Sequence, residues 1–122
     1  MSQTQATKNI LIVDDDLYLC EIIADVLEAE GHATRTASNG LEALERVREE
    51  KPDLLLLDLM MPVMSGWELA AAIRSSPEWS NIPMIIITAD YHIERKQEET
   101  GARAVITKPF DIDQLVSVVA AQ

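Results

Sequence analysis

The sequence contains one cysteine, Cys20, among 122 residues. A lone thiol has no internal partner, which excludes a disulfide framework and suits a reducing cytoplasm. Glycine and proline are scarce, at four and five residues, and 48% of the chain is hydrophobic. That composition excludes a disordered or low-complexity chain. Basic residues are also few. Ten Lys and Arg against 21 Asp and Glu leave a net charge of −11, which opposes direct nucleic-acid contact and favours protein partners or cations. No apolar run approaches the roughly 20 residues of a membrane span. Residues 1–8 are polar, lack the apolar stretch of a signal peptide, and read as a flexible lead-in to one domain over residues 9–122. There is no repeat and no glycine-rich phosphate loop. His32 and His92 are expected at the surface, and nothing pairs them as metal ligands.

The most informative stretch is Pro52-Asp53-Leu54-Leu55-Leu56-Leu57-Asp58-Leu59-Met60-Met61-Pro62. Four consecutive leucines leave no polar side for water. A run this short, bounded by Pro-Asp and a charge, reads as a strand buried on both faces. Asn9 to Val13, Met84 to Thr88 and Ala104 to Thr107 are similar runs, while His32 to Thr36 is more polar and reads as an edge strand. Between the strands the period changes to that of a helix. Leu19, Ile22, Ile23, Val26 and Leu27 mark the first helix, with Cys20 a small core residue and Gly31 a stop. Leu41, Leu44 and Val47 follow the Asn39-Gly40 turn. Trp67, Leu69, Ala70 and Ile73 follow Ser65-Gly66, with Trp67 packing at the helix start. Leu115, Val116 and Val119 follow Asp111, which reads as an N-cap. Ile93 to Thr100 is a short helix with almost no apolar face, expected to dock weakly.

Strict alternation of strand and helix predicts a doubly wound α/β fold with a parallel sheet. The most apolar strands belong at the centre and the polar second strand at an edge, which the flavodoxin-like order 2-1-3-4-5 satisfies. Ligands in such sheets bind at the carboxyl ends of the strands. There the sequence places Asp14, Asp15 and Asp16 after the first strand, Asp58 after the third, Thr88 after the fourth and Lys108 after the fifth. Alone, each has an ordinary reading: an acidic helix start, a turn aspartate, a β-forming threonine, a lysine before a strand-ending proline. Together they converge. Carboxylates this close need a counter-charge, and a hard divalent cation with oxygen ligands supplies it. A carboxylate can act as a phosphoryl acceptor when a metal and donors surround the transferred oxygens. Asp58 is the best nucleophile, Asp14 and Asp15 are the better metal ligands, and Thr88 and Lys108 suit phosphate oxygens.

These residues carry a resemblance. Ile-Leu-Ile-Val-Asp14-Asp15-Asp16, then Asp53 through Asp58 to Met61-Pro62 with Gly66, then Thr88-Ala89, then Lys108-Pro109-Phe110 resemble a receiver domain of a two-component response regulator over nearly the whole chain. The resemblance implies that Asp58 accepts phosphate from a histidine kinase or a histidine phosphotransfer protein and that an unidentified downstream protein reads the result. It implies Mg²⁺, with Mn²⁺ as a substitute, on Asp15, Asp58 and the Met60 carbonyl, with Asp14 acting mostly through water. It also implies a cis peptide before Pro109 and a phospho-acceptor that catalyses its own loading and unloading rather than an enzyme. Two departures stand out, one being that the stretch from Thr88 to Lys108 is about two positions shorter than the family norm. The aromatic usual three residues before the lysine is Val105 here, which has no ring to swing, so the output face around the fourth helix and fifth strand is expected to be remodelled. Met60 and Asp90 occupy the variable positions flanking the phosphate. Family members often pair through the fourth helix, fifth strand and fifth helix, and the altered fourth helix leaves a homodimer open here. Two alternatives remain: a receiver-like scaffold that never reacts, and a small aspartate-nucleophile phosphatase. Met60 stands against the latter, where such enzymes carry a second aspartate.

Overall fold

The computed structural model of the protein describes residues 7–89 and 93–122. Residues 1–6 of the expected lead-in, together with Asp90 and His92, lie outside the described residues. The chain runs β1 (Asn9–Val13), α1 (Leu17–Ala29), β2 (Ala33–Ala37), α2 (Gly40–Glu49), β3 (Leu54–Asp58), α3 (Gly66–Ser75), β4 (Met84–Thr88), α4 (Ile93–Thr100), β5 (Ala104–Thr107) and α5 (Ile112–Ala120). The five strands form one parallel sheet in the order β2-β1-β3-β4-β5.

The leucine run explains the layering. Successive strand side chains point to opposite faces. Leu55 and Leu57 join Ala43, Val47, Leu69 and Ile73 from α2 and α3 on one face. Leu54 and Leu56 join Cys20, Ile23 and Leu27 from α1, and Leu115 and Val119 from α5, on the other. All five residues of β3 are buried, as are all five of β4, whereas β2 at the edge buries only Ala37. Each fully buried leucine contributes on the order of 2 kcal/mol of transfer free energy, so this strand anchors both layers.

Helix starts follow local hydrogen-bond chemistry. Asp16, Asn39, Ser65 and Asp111 accept the N–H groups of Leu19, Glu42, Glu68 and Gln114. Asn39-Gly40 is therefore a helix cap as well as a turn. Glu68 also accepts the Ser65 N–H, completing a capping box. Gly31 follows α1 with φ +95°, a conformation that glycine adopts without strain.

Three expectations about individual side chains are corrected. Ile22 and Leu41 fit the helical period but lie at its outer margin, 37% and 52% exposed, because Cys20 and Ile23 in α1, and Ala43 and Val47 in α2, hold the inward positions. His32 is buried at 7% exposure rather than on the surface, since its Nδ1 accepts the Lys8 backbone N–H at 3.1 Å. In α4, Lys96 and Thr100 are buried at 4% and 2% exposure, and the Lys96 ammonium lies 5.4 Å from the centre of the Trp67 ring. The polar helix thus sets a cation over an indole face, a contact available to a charged side chain.

Candidate functional site

Three loops at the carboxyl edge of the sheet bring the predicted residues together. Asp14 leaves β1 with its N–H still bonded to the Ala37 carbonyl at 3.1 Å. Its Oδ1 accepts the Asp16 N–H at 2.9 Å, and the Cys20 Sγ–H reaches its carbonyl at 3.4 Å. Asp16, the third member of the acidic run, caps α1, which leaves Asp14 and Asp15 for the site. Asp58 ends β3 beside β1. Its Oδ1 accepts the Met60 N–H at 3.2 Å. Asp14 and Asp58 are 3% and 5% exposed, and Asp15 is exposed. One oxygen from each of the three carboxylates lies within 4.8 Å of the other two.

Lys108 enters from the far strand. Its Nζ donates to Asp14 Oδ2 at 3.0 Å and stands 3.6 Å from Asp58 Oδ2. Its backbone N–H donates to the Thr88 carbonyl at 2.7 Å, tying it to the end of β4, where Thr88 is buried. The Lys108–Pro109 peptide is cis, as expected. Gly66 sets the floor of the pocket. Its N–H bonds the Leu59 carbonyl at 3.0 Å, and a Cβ there would overlap the Asp58 carbonyl oxygen. Only glycine lets α3 start this close to the Asp58 backbone.

The electrostatics are those of crowded carboxylates with one cation. Burial raises the Asp58 pKa above its ordinary value. The Asp14 charge adds to this, opposed by Lys108 and the Met60 N–H, and Asp15 raises it further. Burial alone would lower the Lys108 pKa, but the hydrogen bond to Asp14 and the Asp58 charge outweigh it and hold the ammonium above its usual value. A single lysine leaves a net negative cluster of three carboxylates, a donor set that fits a hard divalent cation.

Two features escape motif reading. Val63, in the loop after β3, has φ +69° and is 73% exposed. The Met64 N–H bonds the Pro62 carbonyl at 2.8 Å across it, closing a strained γ-turn. Around the pocket, Leu17, Tyr18, Met60, Val63 and Ile112 are all more than half exposed. An apolar groove of about 340 Å³ runs between Leu19, Ile22, Lys108, Phe110 and Ile112. Leu17, Tyr18 and Ile112 are apolar residues at helix positions off the inward stripe, a signal present in the sequence. Val105, the position of the missing aromatic, is half-buried on β5 opposite Ile86.

Comparison with known proteins agrees with this geometry. Residues 10–120 match the family model of the response regulator receiver domain. The chain is 41% identical over 114 residues to sporulation initiation phosphotransferase F of Bacillus subtilis, covering 92% of this chain and 90% of that protein. It is 33% identical over 115 residues to the polar-differentiation response regulator DivK of Brucella anthropi, covering 92% and 93%. The solved structure of Vibrio cholerae chemotaxis protein CheY4 superposes with a TM-score of 0.87 at 28% identity, covering 95% of this chain and 98% of that one. The chain belongs to the response regulator receiver domain family, whose members accept phosphoryl groups in two-component signalling.

Proposed function

We propose that Asp58 accepts a phosphoryl group from a phosphohistidine on a histidine kinase or histidine phosphotransfer protein in the cytoplasm, and that the modified chain changes its binding to a downstream protein. The observation that carries this reading is the junction of Asp14, Asp15 and Asp58 within 4.8 Å with the Lys108 ammonium 3.6 Å from the proposed acceptor. In the transfer, an Asp58 carboxylate oxygen attacks phosphorus. An O–P bond forms, the P–N bond breaks, and its electron pair returns to the imidazole. Lys108, with the Thr88 hydroxyl, meets the charge on the transferred oxygens. Asp15, Asp58 and the Met60 carbonyl would hold Mg²⁺, or Mn²⁺ in its place, with Asp14 acting through water. When bound, the cation offsets the negative charge of carboxylates and phosphoryl group together.

The apolar ring gives the partner a place to dock. Leu17 and Tyr18 at the start of α1, Ile112 at the start of α5, and Met60 and Val63 in the loop after Asp58 are all exposed. A helix carrying the phosphohistidine could cover these groups while lowering its imidazole to Asp58. The same pocket also serves transfer from a small acyl phosphate, and later hydrolysis, without a partner. The test is intact mass after incubation with acetyl phosphate and Mg²⁺, for wild type, Asp58→Asn and a chelator-treated sample. One added phosphoryl group, absent from the last two, supports the assignment. An adduct that persists in Asp58→Asn overturns it.

A further inference from the structure

At the amino end of the sheet, opposite Asp58, a polar cavity of about 450 Å³ opens beside the α3–β4 connection and the entry to β5. Arg74, at the end of α3, lines it and is largely committed to backbone carbonyls. Its Nη1 donates to Ser80 and Ile82 at 2.8 Å each, its Nη2 to Gly101 at 3.1 Å, and its Nε to Thr100 at 3.3 Å. A guanidinium has about five N–H donors, so one on Nη2 remains. Arg103 lines the same cavity, is exposed, and its guanidinium has no hydrogen-bond or ion-pair partner among the described residues. No carboxylate pairs with Arg74 among them either. The two cations feel one another: after burial, the Arg103 charge is what lowers the Arg74 pKa. On a chain of net charge −11, two neighbouring guanidiniums without a carboxylate form a local cationic site that an anion would relieve. The Ser80 and Asn81 side chains add polar lining.

We propose that this cavity binds a small phosphate-bearing anion, held by the Arg103 guanidinium and the remaining Arg74 donor. Guanidiniums match oxyanions in pairs of parallel hydrogen bonds, and the cavity volume lies in the range of small-molecule sites, roughly 300–1,000 Å³. Arg74 already joins the α3–β4 connection to the last turn of α4 through Thr100 and Gly101. An anion on Arg74 therefore braces the end of α4, at a distance from the phosphoryl acceptor.

The experiment is an NMR titration of the isotope-labelled full chain with inorganic phosphate, at constant ionic strength balanced by chloride, with chelator present. The expected result is saturable shifts of the Ser80, Asn81 and Gly101 amides, half-complete in the millimolar range. Arg103→Gln, which breaks no side-chain hydrogen bond or ion pair among the described residues, should weaken the effect at least roughly tenfold, and Asp58→Asn should leave it unchanged. Shifts that grow linearly, or that saturate equally in Arg103→Gln, overturn the proposal.

Discussion

Replacing Asp58 with asparagine should stabilise the metal-free protein. Asp58 is 5% exposed and shares its pocket with Asp14, whose oxygen lies within 4.8 Å. At an effective dielectric near 20, that repulsion is at least about 3.5 kcal/mol. The attraction to Lys108 at 3.6 Å is about 4.6 kcal/mol on the same scale. The two nearly cancel. What remains is the cost of burying the charge, the first cause of the raised Asp58 pKa, with a screened contribution from exposed Asp15. The raised pKa fixes the sign. The fold holds the Asp58 proton more tightly than the unfolded chain does, so this group costs stability as pH rises from its ordinary 3.8 through its folded value. Asp58→Asn keeps the shape and the Met60 contact and removes the charge, for an expected gain of about 1–2 kcal/mol, or roughly 3–8 °C in Tm. Thermal and urea unfolding in chelator would measure it. Mg²⁺ should then stabilise wild type more than the variant, because the cation answers the charge that the variant lacks. Equal or lower stability of Asp58→Asn in chelator, from pH 6 to 8, would refute the reasoning.

Lys108→Met should act oppositely. It leaves Asp14 and Asp58 buried without their cation, and because the lysine side chain is 25% exposed the loss should be about 2–3 kcal/mol rather than the full cost of breaking a buried pair; urea unfolding should show it, partly restored by Mg²⁺. Val63→Gly should raise stability by up to about 1 kcal/mol by relieving a β-branched residue at φ +69°, and a lower Tm would count against the strain. Burial, with Asp14 nearby, lifts the Cys20 thiol to about 11 from 9.0. At pH 8 its thiolate fraction is therefore about a hundredfold below that of an ordinary thiol, and a disulfide reagent should modify it far more slowly in native than in urea-unfolded protein. Burial, aided by Lys8, lowers the His32 pKa below 6.5, so its contribution is present above that value and lost as pH falls below it. His32→Asn should flatten the fall in stability between pH 7 and 5, and an unchanged slope would show that His32 does not contribute.

The convergence of these side chains was legible because they are punctuation. Strand runs end in Asp14, Asp58, Thr88 and Lys108, and parallel pairing leaves those ends little choice of position. What the period could not separate is side chains that look alike in sequence and differ in partner. Asp14, Asp15 and Asp16 are one acidic run, yet one is buried against Lys108, one is exposed, and one caps a helix. His32 became a core residue through a single backbone N–H 24 positions away. The fourth helix shows the same limit most clearly. A lysine on a polar helix is ordinarily a solvated charge, but Gly66 brings the start of α3 against the Asp58 backbone, and Trp67 follows it in the first turn. A lysine stem covering that indole buries apolar methylenes and places its charge over the ring. The missing apolar face of α4 and the missing ring at Val105 thus lie on neighbouring elements, β5 and α4. On this surface the aromatic partner comes from α3, and the group that meets it is the Lys96 side chain. Replacing Lys96 by methionine keeps the stem and removes the charge, whereas alanine removes both. If stem burial holds α4, methionine should preserve hydrogen-exchange protection of residues 95–100 and alanine should lose it. Equal loss in both would assign the docking to the charge.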